Sequence, residues 1–225
     1  MTRKHAMRIA VFAAGLMPFL LFSSVSEAIA LSKRDLLSLH IRATTIKSES
    51  IDRVLEGLVT EYQVPLGVEL ADEKLNPPRE FNLDLPETTL KEFLDTLVET
   101  DARYTWKLEG GVIHVWPLSG RDALVAALLD TKISAFAIRD GSNRYGVYND
   151  VMNLPEIKTK LVVAGVEHLV FRGPGSMGKI EKGAVFDERS LTLRELLDKI
   201  VLQTEMDQWV ISRWGKNGEY ISLKG

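Results

Sequence analysis

Two stretches of the sequence repeat apolar residues with the spacing of a helix. Residues 90–98 and 193–201 each place them at i, i+3, i+4, i+7 and i+8. This spacing puts the apolar side chains on one face of an amphipathic helix and predicts that the face is buried. The apolar positions are Leu90, Phe93, Leu94, Leu97 and Val98 in the first stretch and Leu193, Leu196, Leu197, Ile200 and Val201 in the second.

Both helices begin with the same capping pattern. Thr89 and Thr192 stand directly before the first apolar residue, and Glu92 and Glu195 follow three residues later. A threonine at this position accepts a hydrogen bond from an amide of the first turn, and the glutamate accepts one from the amide of the threonine. The sequence therefore predicts a capping box at each helix.

The spacing between the two helices holds further along the chain. Trp209 follows Trp106 by 103 residues, the same distance that separates the two capping threonines. We therefore predict an α+β protein with two tandem small domains, residues 31–118 and 119–225. Each domain is expected to pack two helices on a small mixed sheet, in an order close to βαββαββ.

Turn and helix-breaking residues predict further boundaries in the second half. A helix over residues 145–164 is expected to break at Pro155, because proline is tolerated at a helix start but not in its interior. Gly165 is well placed to end this helix. Residues 133–138 are expected to form one strand, and the Asn217-Gly218 pair predicts a hairpin.

The first half resembles a known domain. The run IDRVLEGLVTEYQVPLGVEL at residues 51–70, followed by FNLDLPETTLKEFLDTLVETDARYTWKLEGGVIHVW at residues 81–116, is similar to the short N-terminal domain of secretins and TonB-dependent receptors. Tyr62-Gln63 and Thr100-Asp101-Ala102 stand where that family usually has glycine. The resemblance implies a domain without catalytic residues that contacts partner proteins or forms rings, and residues 119–225 are expected to be a second, divergent copy.

The first thirty residues have the tripartite pattern of a secretory signal peptide. A basic start with Arg3, Lys4 and Arg8 precedes an apolar run at residues 9–22, and Ala28-Ile29-Ala30 supplies a cleavage site. The run is shorter than the roughly 20 residues of a spanning helix, although an uncleaved membrane anchor is the alternative. We expect cleavage after Ala30 and a periplasmic or secreted protein with no membrane span after processing.

Composition excludes several kinds of chemistry. The chain has no cysteine, which excludes disulfides, cysteine nucleophiles and thiolate metal sites. Its formal charge of −3 is too small to imply an electrostatic partner, and the lack of a basic stripe and the pI of about 5.9 argue against nucleic acid. His40, His114 and His168 fall on three different predicted elements, without the spacing of a zinc site. No cofactor, metal or catalytic residue is predicted.

One loop nearly fits a phosphate-binding motif. Residues 173–179 read GPGSMGK, but Ile180 replaces the hydroxyl residue that would hold magnesium, and no helix is predicted to follow. A surface loop is the simpler interpretation. The loop is still a candidate partner-binding surface, and its candidate residues are Gly173, Pro174, Gly175 and Met177.

Two tryptophans near predicted strand ends are further candidates for partner binding. Trp116 and Trp214 are large aromatic residues, which are enriched at protein interfaces. Ordinary core packing is the alternative for both.

These features predict an exported, non-enzymatic protein–protein interaction or assembly module of the bacterial envelope. Its expected partner is an envelope protein, such as a component of a secretion or outer-membrane complex, and exposed sheet edges are the expected docking sites. Two alternatives stay open: a small-ligand-binding protein or enzyme that uses the groove between the domains and the loop at residues 172–182, and a secreted effector or inhibitor.

Overall fold

The computed structural model describes residues 36–72, 79–170, 179–187, 191–204 and 206–225, and within them the chain has an α+β fold. The six helices are α1 Ile51–Tyr62, α2 Leu90–Thr100, α3 Ala123–Leu129, α4 Arg144–Met152, α5 Pro155–Ala164 and α6 Leu193–Gln203. The strands are β1 His40–Ile41, β2 Thr44–Glu49, β3 Leu66–Glu69, β4 Phe81–Leu85, β5 Thr88–Thr89, β6 Tyr104–Glu109, β7 Val112–Pro117, β8 Lys132–Ile133, β9 Phe136–Ile138, β10 Glu167–Val170, β11 Ala184–Phe186, β12 Leu191–Thr192, β13 Gln208–Trp214 and β14 Tyr220–Lys224.

Six of the strands form one mixed sheet in the order β10-β14-β13-β3-β7-β6. The other eight pair two by two, as β1 with β5, β2 with β4, β8 with β12, and β9 with β11. The two halves of the chain therefore do not have separate sheets as the sequence suggested. They share one, because β13 pairs in parallel with β3 over four residue positions.

The N-terminal half contributes β3, β7 and β6 to this sheet, and the C-terminal half contributes β10, β14 and β13. Each half has one parallel pair followed by an antiparallel hairpin. Because β13 runs parallel to β3, every strand of one half runs opposite to its counterpart in the other half. The two halves are thus related by half a revolution about an axis that lies in the sheet and crosses the strands, together with a shift of three strands along that axis.

The helices of the two halves cover opposite faces of the shared sheet. Trp209 and Ile211 of β13 lie in the core of the C-terminal half, whereas Val210 between them lies in the core of the N-terminal half. Successive side chains of a strand point to opposite faces. Strand β13 therefore contributes to both cores.

Both predicted capping boxes are confirmed. At α2 the amide of Glu92 donates to Thr89 Oγ1 at 3.3 Å, and the amide of Thr89 donates to Glu92 Oε2 at 3.0 Å. At α6 the matching distances for Glu195 and Thr192 are 3.2 and 2.6 Å. The predicted apolar face of α6 is buried throughout, and α2 buries all of its predicted face except Val98, which is partly buried.

Other local predictions are confirmed, with one correction. The helix over residues 145–164 is divided into α4 and α5 at Pro155, and Gly165 ends α5 with a left-handed φ of 63°. The Asn217-Gly218 pair lies in the turn between β13 and β14. The single strand predicted over residues 133–138 is wrong, because two short strands with different partners, β8 and β9, take its place.

Candidate interaction site

A groove of about 770 Å³ lies between β2 and α1. Its volume is within the usual range for ligand pockets, roughly 300 to 1,000 Å³. One wall is the β2 strand, the other wall is α1, and Phe93 of α2 also lines the groove. The residues that line it are Ile41, Thr44, Thr45, Ile46, Lys47, Glu49, Arg53, Val54, Glu56, Gly57, Leu58, Thr60, Glu61, Tyr62 and Phe93.

The β2 wall is a strand edge and not a strand face. Four consecutive residues, 44–47, line the groove. Their side chains alternate between the two faces of the strand, so the surface they have in common is the edge of the backbone. In the part of the chain that the structure describes, β2 pairs only with β4, on its other edge. The groove therefore exposes a strand edge of the type that accepts an added strand.

The floor of the groove is apolar and its rim is charged. Ile41, Val54, Leu58 and Phe93 are all less than 10% exposed. On the rim, Arg53 Nη1 lies 3.1 Å from Glu56 Oε2, within one turn of α1. An extended segment with alternating apolar and polar residues fits this arrangement, because it could bury one face and leave the other in solvent.

Gly57 keeps the middle of the groove open. It lies in the interior of α1, where glycine destabilises a helix by about 1 kcal/mol relative to alanine. A Cβ added at this position would have no atom within 4 Å, so core packing does not require a glycine here. Sequence reasoning missed this residue. The available signal was an isolated glycine within an otherwise regular amphipathic helix.

A second cluster, at the junction of β3 and β13, is ionic and buried. Glu69 is 1% exposed. It accepts hydrogen bonds from Arg121 Nε at 2.7 Å and from Arg194 Nη2 at 2.6 Å, and the bond from Arg121 to this carboxylate raises the pKa of Arg121. Burying a carboxylate is costly unless hydrogen-bonding partners of this kind surround it. Since Glu69 and the two arginines come from different halves, the cluster joins the halves.

Asp198 of α6 extends this junction. Its Oδ1 accepts a hydrogen bond from Trp209 Nε1 at 2.9 Å, and its Oδ2 lies 3.3 Å from His114 Nε2. The Trp209 ring lies against Gly67 of β3, where any Cβ would approach the indole to 2.4 Å. The side chains at the junction thus support the pairing of β13 with β3.

The two candidate tryptophans lie on opposite faces of the sheet. Trp116 is half-buried and borders a cavity of about 250 Å³ beside Glu69 and Arg121. Trp214 is half-buried, packs against Tyr220 with ring centroids 5.0 Å apart, and has the strand parity of Val210, on the face of the N-terminal core. These tryptophans therefore do not form one surface.

The other candidates belong to the predicted loop, and the three described histidines lie on separate elements. Gly173, Pro174, Gly175 and Met177 lie outside the described residues. His40 meets Glu87 at 3.0 Å in an exposed position, and His168 lies 3.4 Å from Asn153. Burial and the nearby Lys158 lower the pKa of His168. Among the described residues, no group of three or more histidines and carboxylates is arranged to hold a metal ion.

The described part of the chain has no helix with the length and apolar character needed to cross a bilayer. Comparisons of the whole chain with models of protein families, with curated proteins and with solved structures found no match.

Proposed function

We propose that this chain is an exported, non-enzymatic protein–protein interaction module of the bacterial envelope. It binds an extended segment of an envelope protein, from a secretion or outer-membrane complex, by strand addition to β2. The observation that carries this proposal is the groove between β2 and α1, where a strand edge that no described residue pairs with faces an apolar floor. Main-chain hydrogen bonds to the edge would supply affinity, and side-chain pockets on the floor would supply specificity.

Gly57 supports the same function. Glycine in the interior of a helix is destabilising, and among the described residues no atom lies close enough to require a glycine at this position. The glycine therefore leaves room beside α1 for a bound segment.

The module is built, in this proposal, from two tandem domains of the secretin/TonB short N-terminal type, residues 31–118 and 119–225. The matched capping boxes and the matched bonds from Trp106 to Asp95 and from Trp209 to Asp198 support this division. Residues 1–30 are its signal peptide, with cleavage after Ala30 and delivery to the periplasm or the exterior. The pattern of residues 1–30 supports this localisation.

The experiment is an affinity pull-down from envelope extract with the processed chain from Leu31 as bait, followed by mass spectrometry. Two variants make it specific for the groove. Gly57→Trp fills the middle of the groove with an indole, and Gly57→Ala is the matched control that removes the glycine without filling the space.

We expect the wild-type chain and Gly57→Ala to recover the same envelope protein, and Gly57→Trp to recover at least tenfold less of it. A synthetic peptide with the sequence of the partner segment that binds the groove should show the same order of affinities for the three chains by calorimetry. Equal recovery by Gly57→Trp would exclude the groove as the binding site. Recovery of no protein, together with a small molecule bound to the purified chain, would support the ligand-binding alternative instead.

A further inference from the structure

The six-stranded sheet ends in two strands that pair on one side only, within the described part of the chain: β6 at one end, which pairs with β7, and β10 at the other, which pairs with β14. Successive residues of β6 direct their backbone polar groups alternately toward β7 and away from it. The hydrogen bond from the Leu118 amide to the Arg103 carbonyl shows which residues do which. Trp106 and Leu108 consequently direct their backbone amides away from β7. In β10 the amide of Glu167 bonds to Glu219 of the neighbouring chain segment, so His168 and Val170 direct theirs outward.

The junction inside the sheet joins counterparts of these same two strands. β13 corresponds to β6, because each follows a capped helix and carries the tryptophan bonded to that helix. β3 corresponds to β10, because each follows a helix that ends in a left-handed residue, Gln63 or Gly165, and each pairs in parallel with the second strand of its hairpin. One end of the sheet therefore presents β6, the counterpart of β13, and the other end presents β10, the counterpart of β3. These are the counterparts of the two strands that pair at the internal junction.

The backbone groups also correspond. At the internal junction, the amide of Leu66 donates to the Asp207 carbonyl at 3.1 Å, and the amide of Leu70 donates to the Ile211 carbonyl at 3.0 Å. These bonds require β13 to direct the polar groups of residues 207, 209 and 211 toward β3. The outward groups of Trp106 and Leu108 are at the positions of Trp209 and Ile211.

We propose that a second copy of this chain docks its β10 against β6 of the first, in parallel, and so continues the sheet. This surface is separate from the groove between β2 and α1, and the proposal does not depend on that groove. The two halves of one chain differ by half a revolution. A second half revolution, from the end of one copy to the start of the next, completes a full turn, so neighbouring copies have the same orientation. Copies would thus associate head to tail, which produces a ring or an open filament and not a closed dimer.

Side chains next to the β6 edge favour the same contact. At the internal junction, Asp198 meets His114 at 3.3 Å. The counterpart of Asp198 is Asp95, whose side chain is 38% exposed. In each half, one residue of the second hairpin strand pairs with the residue that follows the tryptophan bonded to the helix. This residue is His114 in the N-terminal half and Lys224 in the C-terminal half, so the two are counterparts. Asp95 of one copy would therefore face Lys224 of the next, which meets Asp52 of its own chain at 3.2 Å.

The copy-to-copy contact should be weaker than the internal one. Counted from the two left-handed helix ends, position 169 corresponds to Gly67 and is leucine. The glycine of β3 that Trp209 lies against therefore has no glycine counterpart in β10. We expect reversible association that depends on protein concentration.

The test is sedimentation velocity of the processed chain from Leu31, from micromolar to millimolar concentration, with two variants of one residue. His168→Pro removes an outward amide at the β10 edge, where proline is tolerated because the amide has no ladder partner. His168→Ala removes the imidazole and keeps the amide. We expect the mean mass of the wild type and of His168→Ala to rise beyond the mass of a dimer. His168→Pro should remain monomeric at ten times the concentration at which the wild type begins to associate.

A mixing experiment tests the head-to-tail geometry. His168→Pro still has an intact β6 edge, so adding it to the wild type should terminate growing oligomers and lower their mean mass. If circular dichroism shows that His168→Pro does not fold, Asp95→Lys, a charge reversal beside the β6 edge, replaces it as the variant with a blocked edge, provided that its own circular dichroism shows a folded chain. A wild type that stays monomeric to 1 mM, a closed dimer, or oligomers unaffected by the blocked variants would each overturn the proposal.

Discussion

The indole Nε1 of Trp209 donates a hydrogen bond of 2.9 Å to Asp198, a residue that lies eleven positions earlier at the middle of α6. In the N-terminal half, Trp106 and Asp95 make the same bond at 3.1 Å with the same separation in sequence. The two pairs differ in their surroundings. Trp209 is fully buried at the junction of the halves, whereas Trp106 lies near the free edge of the sheet and is partly exposed.

This difference predicts unequal effects of removing the two carboxylates. Asp198→Ala leaves the buried indole N–H without its acceptor and removes the carboxylate that lies 3.3 Å from His114, and a buried donor without a partner destabilises by about 1 to 3 kcal/mol. Asp95→Ala should have a smaller effect, because water can reach the Trp106 site. Urea denaturation of both variants measures the two losses, and equal losses would contradict the buried position assigned to Trp209.

The capping boxes predict how removing the side-chain hydroxyl at the start of α6 changes stability. Thr192→Ala should lower the free energy of unfolding by about 1 kcal/mol, because the amide of Glu195 loses its acceptor. Thr192→Ser retains the hydroxyl and is the control. The comparison is made by chemical denaturation at neutral pH, and an unchanged midpoint for Thr192→Ala would mean that the box adds nothing to stability.

The same boxes predict a dependence of stability on pH. The amide of Thr89 and the hydroxyl of Thr88 bond to the Glu92 carboxylate and lower its pKa from 4.5 to about 2. The amide of Thr192 likewise lowers the pKa of Glu195. A carboxyl with a lower pKa in the folded state stabilises the fold fully above pH 4.5, and this contribution is lost as the pH falls toward 2.

Glu92→Gln keeps an acceptor at the box but removes the titration. Thermal melting of the wild type and of Glu92→Gln should therefore differ most at pH 6 and converge between pH 4.5 and 2. A difference that stays constant over this range would show that the ionised form of Glu92 has no advantage in the folded state.

Two glycines on neighbouring elements predict opposite effects of the same substitution. Gly67→Ala should destabilise by about 1 to 3 kcal/mol, because its Cβ would lie 2.4 Å from the Trp209 indole. Gly57→Ala should stabilise by about 1 kcal/mol, because it meets no atom and improves the helix. Denaturation midpoints of the two variants check both signs at once, and a destabilised Gly57→Ala would show that this glycine has a packing role.

The sequence predicted the features that depend on local chemistry. Thr89 with Glu92, the break at Pro155 and the helix end at Gly165 each act within one helical turn, so residue type alone indicates them. The pairing of β13 with β3 was not predicted. A parallel pair has no turn residues between its strands, and the short apolar runs that form it have no preference for one neighbour over another.

The position of the groove was not predicted. Exposed sheet edges were expected to be the docking surfaces, but the edge that borders a groove is β2, and the reason is the distance between β2 and α1, which follows from tertiary packing. Trp116 and Trp214 were selected for their size. Strand alternation then places them on opposite faces, which their positions near strand ends did not indicate.

The contribution of β13 to both cores has a consequence for the order of folding during synthesis. Gln208 pairs with Leu66, 142 residues earlier in the chain, and Val210 enters the core of the N-terminal half. Contacts between residues so distant in sequence form slowly. A nascent chain that has reached only residue 200 has every helix and strand of its first half but not the strand that completes that core. The half that the ribosome makes first must therefore wait for nearly the last strand before its fold is complete.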